Sequence, residues 1–237
     1  MTTLKIPVPE VVSRAEWLEA RKKLLLEEKS YTRQGDALAA ERRNLPWVRV
    51  ERDYVFEAPG GNQSLADMFE GRNQLIVQHF MFGPGWKEGC PSCSFMADHV
   101  GGALVHLAHR DATFVAISRA PLSQIQPFKK RMGWGFKWVS SAGNDFNFDY
   151  GVSFTKDEMA RGKMNYNYKM ESFPSEEAPG VSVFYQKAGD VFHTYSTYNR
   201  GTESLTDSYR LLDVTPYGRQ EDWEDSPAGW PQHPTYG

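Results

Sequence analysis

One segment, from residue 75 to residue 93, constrains this chain more than any other. Leu75-Ile76-Val77-Gln78-His79-Phe80 is a mostly apolar run of the length of one buried central strand. A loop follows, marked by Gly83, Pro84, Gly85 and Gly89. Then comes Cys90-Pro91-Ser92-Cys93, and after it Met96, Val100, Ala103, Leu104 and Leu107 recur at helical spacing. A C-x-x-C placed between a strand and a helix start is a dithiol at a βα junction.

That placement has chemical consequences. The first turn of a helix carries unpaired backbone N–H groups and the positive end of the dipole. Both favour thiolate over thiol, and the thiolate is the attacking species. A pKa lowered from ~8.5 to ~7 would raise the ionised fraction at pH 7 from about 3% to half. Cys93 falls on the apolar face with Met96 and Val100, so it is the shielded member. Cys90 is therefore the expected nucleophile and Cys93 the expected resolving thiol. Pro91 and Ser92 form the turn between them. Pro91 lacks a backbone N–H, which costs nothing where N–H groups are unpaired anyway. The bland alternative is two buried, inert thiols, since cysteine is among the most buried residue types.

The remaining composition excludes several classes. Two cysteines in 237 residues cannot staple a miniprotein or supply an all-cysteine zinc site. A zinc site would need histidines, and His99 and His106 lie several turns from Cys90 on the expected helix, with His109 beyond them and His79 on the strand. A formal charge of −3 gives no general attraction to nucleic acid or an anionic membrane. The longest uncharged stretch, 73 to 86, is too short to span a bilayer. The start MTTLKIPVPEVVSR has no basic region followed by an apolar run. A cytoplasmic setting is expected, where a close cysteine pair is more often catalytic or metal-binding than a static crosslink. No Walker A, dinucleotide fingerprint, HExxH or nucleophile-elbow motif occurs.

Three regions are expected. Residues 1–45 form a helical arm. Ser13 and Glu16 fit a capping box, and Trp17, Leu24, Tyr31, Leu38 and Leu45 recur every seven residues. Gly35 is a candidate break. This stripe either lies on its own domain or forms a homodimer contact. Residues 46–215 form the main domain, with strands around 48–56, 75–80, 113–118 and 138–140. A hairpin is expected at 181–195, and helices after Cys93, at 121–132 and at 205–212. Residues 143–176 are loop-like and aromatic, either a second small core or a roof over the thiols. Residues 216–237 form an irregular tail. The order implies parallel strands linked by helices, with an antiparallel hairpin at the edge: an α/β mixed sheet flanked by helices.

These segments also carry a resemblance. LPWVRVERDYVFEAPGG (45–61), LADMFEGRNQLIVQHFMFGPGWKEGCPSCSFMADHV (65–100), DATFVAISRAPL (111–122), FKKRMGWGFKWVSSAGNDFNFDYGV (128–152) and GVSVFYQKAGDVFHTYSTYNRG (180–201) resemble a bacterial thioredoxin-like family. It was long labelled a domain of unknown function, family 899, and is described as predicted dithiol-disulfide oxidoreductases. The resemblance implies a thioredoxin-like fold and a cis-proline facing the dithiol. Pro179, just before the hairpin strand, is the candidate. Thioredoxins carry Trp directly before the first cysteine and Gly-Pro between the two. Here Gly89 precedes Cys90, Pro-Ser lies between, and the nearest upstream tryptophan is Trp86. Peroxiredoxins share the fold, but their pattern of Pro seven and Thr or Ser three residues before the reactive cysteine is absent. Those places hold Gly83 and Lys87 before Cys90, and Trp86 and Cys90 before Cys93.

The expected activity is thiol-disulfide exchange with a protein or small-molecule disulfide, supplied with electrons by a partner reductase or small thiol and without an organic cofactor. The competing expectations are a non-enzymatic binding protein on the same scaffold and, behind it, a thiol peroxidase.

Overall fold

The computed structural model describes residues 9–221. The chain forms two compact units. The first contains helix α1, Arg14–Arg43, 30 residues and about 45 Å long. Its capping box forms as expected: Glu16 N–H donates to Ser13 Oγ at 3.3 Å, and Ser13 N–H donates back to the Glu16 carboxylate at 3.0 Å. The Ser13 bonds hold that carboxyl below its usual range. The helix runs unbroken through Gly35, and none of its residues is buried. The tail expected at 216–237 lies outside the described residues from 222 onward.

The second unit, 47–219, is built on an eight-stranded mixed sheet. In chain order its strands are β1 (Val48–Arg49), β2 (Val55–Ala58), β3 (Gly61–Ser64), β4 (Gln74–His79), β5 (Ala112–Ser118) and β6 (Lys137–Ser140). β7 (Met164–Tyr166) and β8 (Lys169–Glu171) pair only with each other, and β9 (Gly180–Lys187) and β10 (Asp190–Tyr198) complete the large sheet. The spatial order is β1-β10-β9-β4-β5-β6-β2-β3. β4, β5 and β6 are parallel neighbours, and β9 lies antiparallel to β4 on its other side. Helices α2 (Pro91–Asp98), α3 (Leu104–His109) and α4 (Leu122–Met132) make the crossovers, and α7 (Asp207–Leu212) follows the hairpin.

β4 alternates between two cores, as a strand covered on both faces must. Leu75 and Val77 enter a cluster with Phe56, Val115, Ile117, Phe146 and Phe184. Ile76 and Phe80 face another, with Ala97, Phe114, Ile125, Phe128 and Trp138. The dithiol lies on this second side, among the aromatic rings.

Three expectations differ from the structure, and one strand, β3, lies outside them. The helix after Cys93 does not continue to residue 107: it ends at Asp98, a 3-10 turn spans Gly101–Ala103, and α3 starts anew. Two consecutive glycines carry too little helix propensity to bridge the gap. Pro121 precedes α4 as its cap, and the helix continues through Pro127. β3, with the sequence GNQS, has no strand propensity of its own. It forms because the tight turn at Pro59-Gly60 folds it onto β2, pairing Ala58 with Gly61. Residues 143–176 are also more structured than a loop. They hold α5 (Phe146–Asp149), α6 (Lys156–Arg161) and the β7–β8 pair, around a third core of Val152, Phe154, Met164 and Tyr166.

Candidate active site

The backbone places both sulfurs. Cys90 N–H donates to Met81 C=O at 3.0 Å, which ties the cysteine to the end of the chain leaving β4. α2 starts at Pro91, with Cys90 as its cap residue. Ser94 donates twice to Cys90 C=O, through its N–H at 3.0 Å and its hydroxyl at 2.9 Å. This closes the first turn and brings the two cysteines 3.8 Å apart. Cys93 is buried at 3% exposure, and Cys90 is half-buried. Met81 N–H donates to Cys93 Sγ at 3.4 Å.

The electrostatics separate the pair. Cys90 is lowered to about 6, chiefly because the Cys93 thiol donates to its thiolate. The Ser92 hydroxyl, 3.0 Å away, and the backbone N–H groups of Cys93 and Ser92 add to this, while burial opposes it. Cys93 is pushed far above its ordinary value by the same bond and by burial. The sequence alone points to the helix N–H groups as the source of the shift. In the structure the partner thiol contributes more, an effect that only the approach of the two sulfurs creates.

Gly89 explains the missing tryptophan. A Cβ at residue 89 would lie 2.6 Å from a ring carbon of Phe80, which is itself buried, so no side chain fits directly before Cys90. Trp86 instead packs from the loop against the aromatic core that also holds Cys90. Nearby charges are engaged with one another and with the aromatic layer: Glu88 pairs with Arg131 at 2.9 Å, and Asp98 accepts from the Trp134 indole at 2.7 Å.

Pro179 shares a small cavity with Ser92 and Cys93, so it does sit beside the dithiol. Its peptide bond is trans, as is every other among the described residues, which corrects the cis expectation. Trans is the intrinsic preference even for proline. Here the strand entry is held by Tyr166, whose hydroxyl donates to Pro179 C=O at 2.7 Å and accepts from Asn199 N–H at 3.1 Å. Tyr166 belongs to the aromatic insertion, as does Phe173, which packs against both the third core and the Cys90 side. The insertion is thus a small core and a neighbour of the site at once.

Two further polar residues, Gln78 and Glu177, are buried in this unit. Gln78, at 1% exposure, donates from Nε2 to Cys93 C=O at 3.0 Å. A signal for it exists: it is the polar interruption in an apolar strand. Glu177 is buried and accepts from Arg119 at 2.8 Å and Ser153 at 2.6 Å. Burial pushes its carboxyl up to about 7 despite both donors. Nothing in its sequence context distinguishes it from Glu176. Among the described residues no three His, Cys, Asp or Glu side chains converge as a metal site. His99 is bound to Phe95 C=O and Ser208, on α2 and α7.

A parallel β-α-β unit flanked by an antiparallel hairpin, with a dithiol where the central strand passes into its helix, is a thioredoxin-like domain. The family described as bacterial protein of unknown function (DUF899) matches residues 6–236, and the chain belongs to it. No curated protein sequence matches it. Among solved structures it is similar to peroxiredoxin Q of Xanthomonas campestris, at 12% identity over 68% of this chain and 89% of that one, with a TM-score of 0.46. It is also similar to peroxidoxin BcpB of Mycobacterium tuberculosis, at 15% identity over 71% of this chain and 97% of that one, with a TM-score of 0.45. Among the described residues no helix is long and apolar enough to cross a membrane.

Proposed function

We propose that the protein is a dithiol-disulfide oxidoreductase. Cys90 attacks a substrate disulfide, and Cys93 displaces the substrate from the resulting mixed disulfide. The observation that carries this reading is the asymmetry of the pair: a half-buried sulfur held as thiolate beside a buried sulfur that keeps its proton. The first must be nucleophilic and a good leaving group, and the second must wait until the mixed disulfide forms. Nearby Trp86 and Phe173 offer apolar surface to a protein or small-molecule disulfide. Electrons return through a partner reductase or a small thiol.

The test is the pH dependence of Cys90 alkylation, run beside a disulfide-reduction assay. Cys90 is depressed, so its thiolate is present above the midpoint and lost as pH falls through it. The alkylation rate should rise with a midpoint near 6 and level off above about pH 7. Cys90→Ser should reduce disulfide reduction to background. A midpoint at 8 or above, with reduction unaffected by Cys90→Ser, would favour a binding protein with inert thiols. Peroxide consumption that exceeds disulfide reduction would favour a thiol peroxidase.

A further inference from the structure

The half-reaction of Cys93 poses a problem that the two sulfurs do not solve. When Cys93 attacks Cys90–S–S–R, a bond forms between the two protein sulfurs and the bond from Cys90 to the substrate sulfur breaks. Cys93 is oxidised, the substrate sulfur is reduced, and the Cys93 proton must leave. Before the adduct forms, that proton is shared with Cys90. Once Cys90 is in a disulfide, it is no longer a strong acceptor. Cys93 is then a buried thiol with a backbone N–H of Met81 on its sulfur, which is a donor and takes no proton.

Gln78, on β4, bonds to the backbone of Cys93 itself. Its Nε2 is fixed on Cys93 C=O at 3.0 Å, while its Oε1 is buried with no protein partner. Buried acceptors are rarely left unmet, because the loss of their hydrogen bond to water is then uncompensated. Gln78, Ser92 and Cys93 line one cavity of about 40 Å³. About two or three water molecules fit such a space, and an internal water needs polar partners. Other polar residues that line it are His79, Asn199, Thr202, Glu203 and Thr206, and of these Asn199 is exposed. The cavity thus reaches from Cys93 to the exposed Asn199, with hydroxyl, amide, imidazole and carboxylate side chains in its lining.

We propose that Gln78 is a positioning residue for the resolving step: its Oε1 holds cavity water against Cys93, and that water carries the thiol proton outward. The displaced substrate thiolate takes up a proton from solvent, so the exchange balances without a further reagent. An amide does not titrate, so the residue orders the water and stores no charge. This inference rests on the dithiol exchange proposed above.

The experiment uses the reduced full-length protein and one equivalent of 5,5′-dithiobis(2-nitrobenzoate). Attack by Cys90 releases one thionitrobenzoate, and resolution by Cys93 releases the second, so the two steps are read as separate phases. Gln78→Met, close in shape but without the oxygen, should slow the second phase about tenfold and leave the first within about twofold. Gln78→Glu restores an acceptor oxygen at the same place and should bring the second phase back to within about threefold of native. A second phase at the native rate in Gln78→Met overturns the inference. So does equal slowing in both variants, because the Nε2 bond to Cys93 C=O would then be the whole effect. A first phase slowed as much as the second overturns it too, because the residue would then shape the loop and not serve Cys93. A native protein that releases only one equivalent overturns the dithiol reading itself, and this inference with it.

Discussion

The two polar residues at the end of β4 are adjacent in sequence and opposite in construction. Gln78 faces the dithiol core, bonds to Cys93 C=O and keeps an unmet oxygen beside a cavity. His79 faces the other core, where its ring lies against Phe146 and Tyr150. His79 Nε2 is 2.7 Å from Ser182 Oγ, which is 2.7 Å from Ser196 Oγ, which in turn is 2.7 Å from His193 Nε2. This row crosses β4, β9 and β10 and locks the three strands together. Burial lowers His79 to about 3, with His193 adding to the effect, so it stays neutral across the physiological range. Gln78 is bonded to the backbone of Cys93, whereas His79 belongs to a row of bonds that ties three strands together. Strand alternation turns the two side chains toward different cores, although both residues line the cavity beside Cys93.

The dithiol face responds most strongly to the loss of Cys93. Cys93→Ala should abolish turnover in a disulfide-reduction assay and leave a mixed disulfide on Cys90 that mass spectrometry detects. It should also move the Cys90 alkylation midpoint upward from about 6, because the Cys93 thiol is the largest cause of the depression. If the midpoint stays near 6, the helix N–H groups and Ser92 account for the thiolate, and the pair is less coupled than its geometry implies. No substitution on the His79 side should move that midpoint.

The second effect is smaller and concerns how the loop seats the sulfur. Gly89→Ala places a methyl 2.6 Å from Phe80 and 3.2 Å from Phe128. Phe80 packs on Trp138 and Trp134 and cannot retreat freely. Overpacking of this kind costs about 1–3 kcal/mol, read as a lower thermal midpoint. Slower alkylation of Cys90 should accompany it. Unchanged values for both would mean that the loop yields locally.

Legibility in the sequence follows the same division. The strand, the Gly/Pro loop, the dithiol and the hairpin can be read because each is encoded by local pattern: an apolar run, turn residues, and alternation either side of Ala188-Gly189. The shielding of Cys93 follows from its spacing to Met96 and Val100. The β3 strand cannot be read, because GNQS forms a strand only through its pairing with β2. Neither can the clamp from Tyr166 to Pro179, which joins residues 13 apart through a side chain and a carbonyl. Gln78 and His79 are visible as polar residues in a buried strand. Their different partners are not, because those depend on which element covers each face.

A weaker effect belongs to His79, and its sign depends on pH. His79→Leu removes one neutral hydrogen bond to Ser182, which keeps its bond to Ser196, so the loss at neutral pH should be about 1 kcal/mol. It also relieves the unpartnered Nδ1. In acid the balance shifts. The folded state holds His79 neutral down to about 3, whereas an unfolded histidine takes up a proton near 6.5. Across that window the unfolded chain binds more protons, so native stability falls as pH drops from about 6.5 toward 3. Leucine has no proton to take, so His79→Leu should lose less stability over the same range, and its denaturant midpoint should approach or pass that of the native chain near pH 4. A pH dependence identical to native would mean that His79 is protonated in the fold, and that the row of His79, Ser182, Ser196 and His193 is a charged network. Unchanged Cys90 alkylation in the same variant would complete the contrast: the two neighbours on β4 would then be separable, one by thiol chemistry and the other by acid stability.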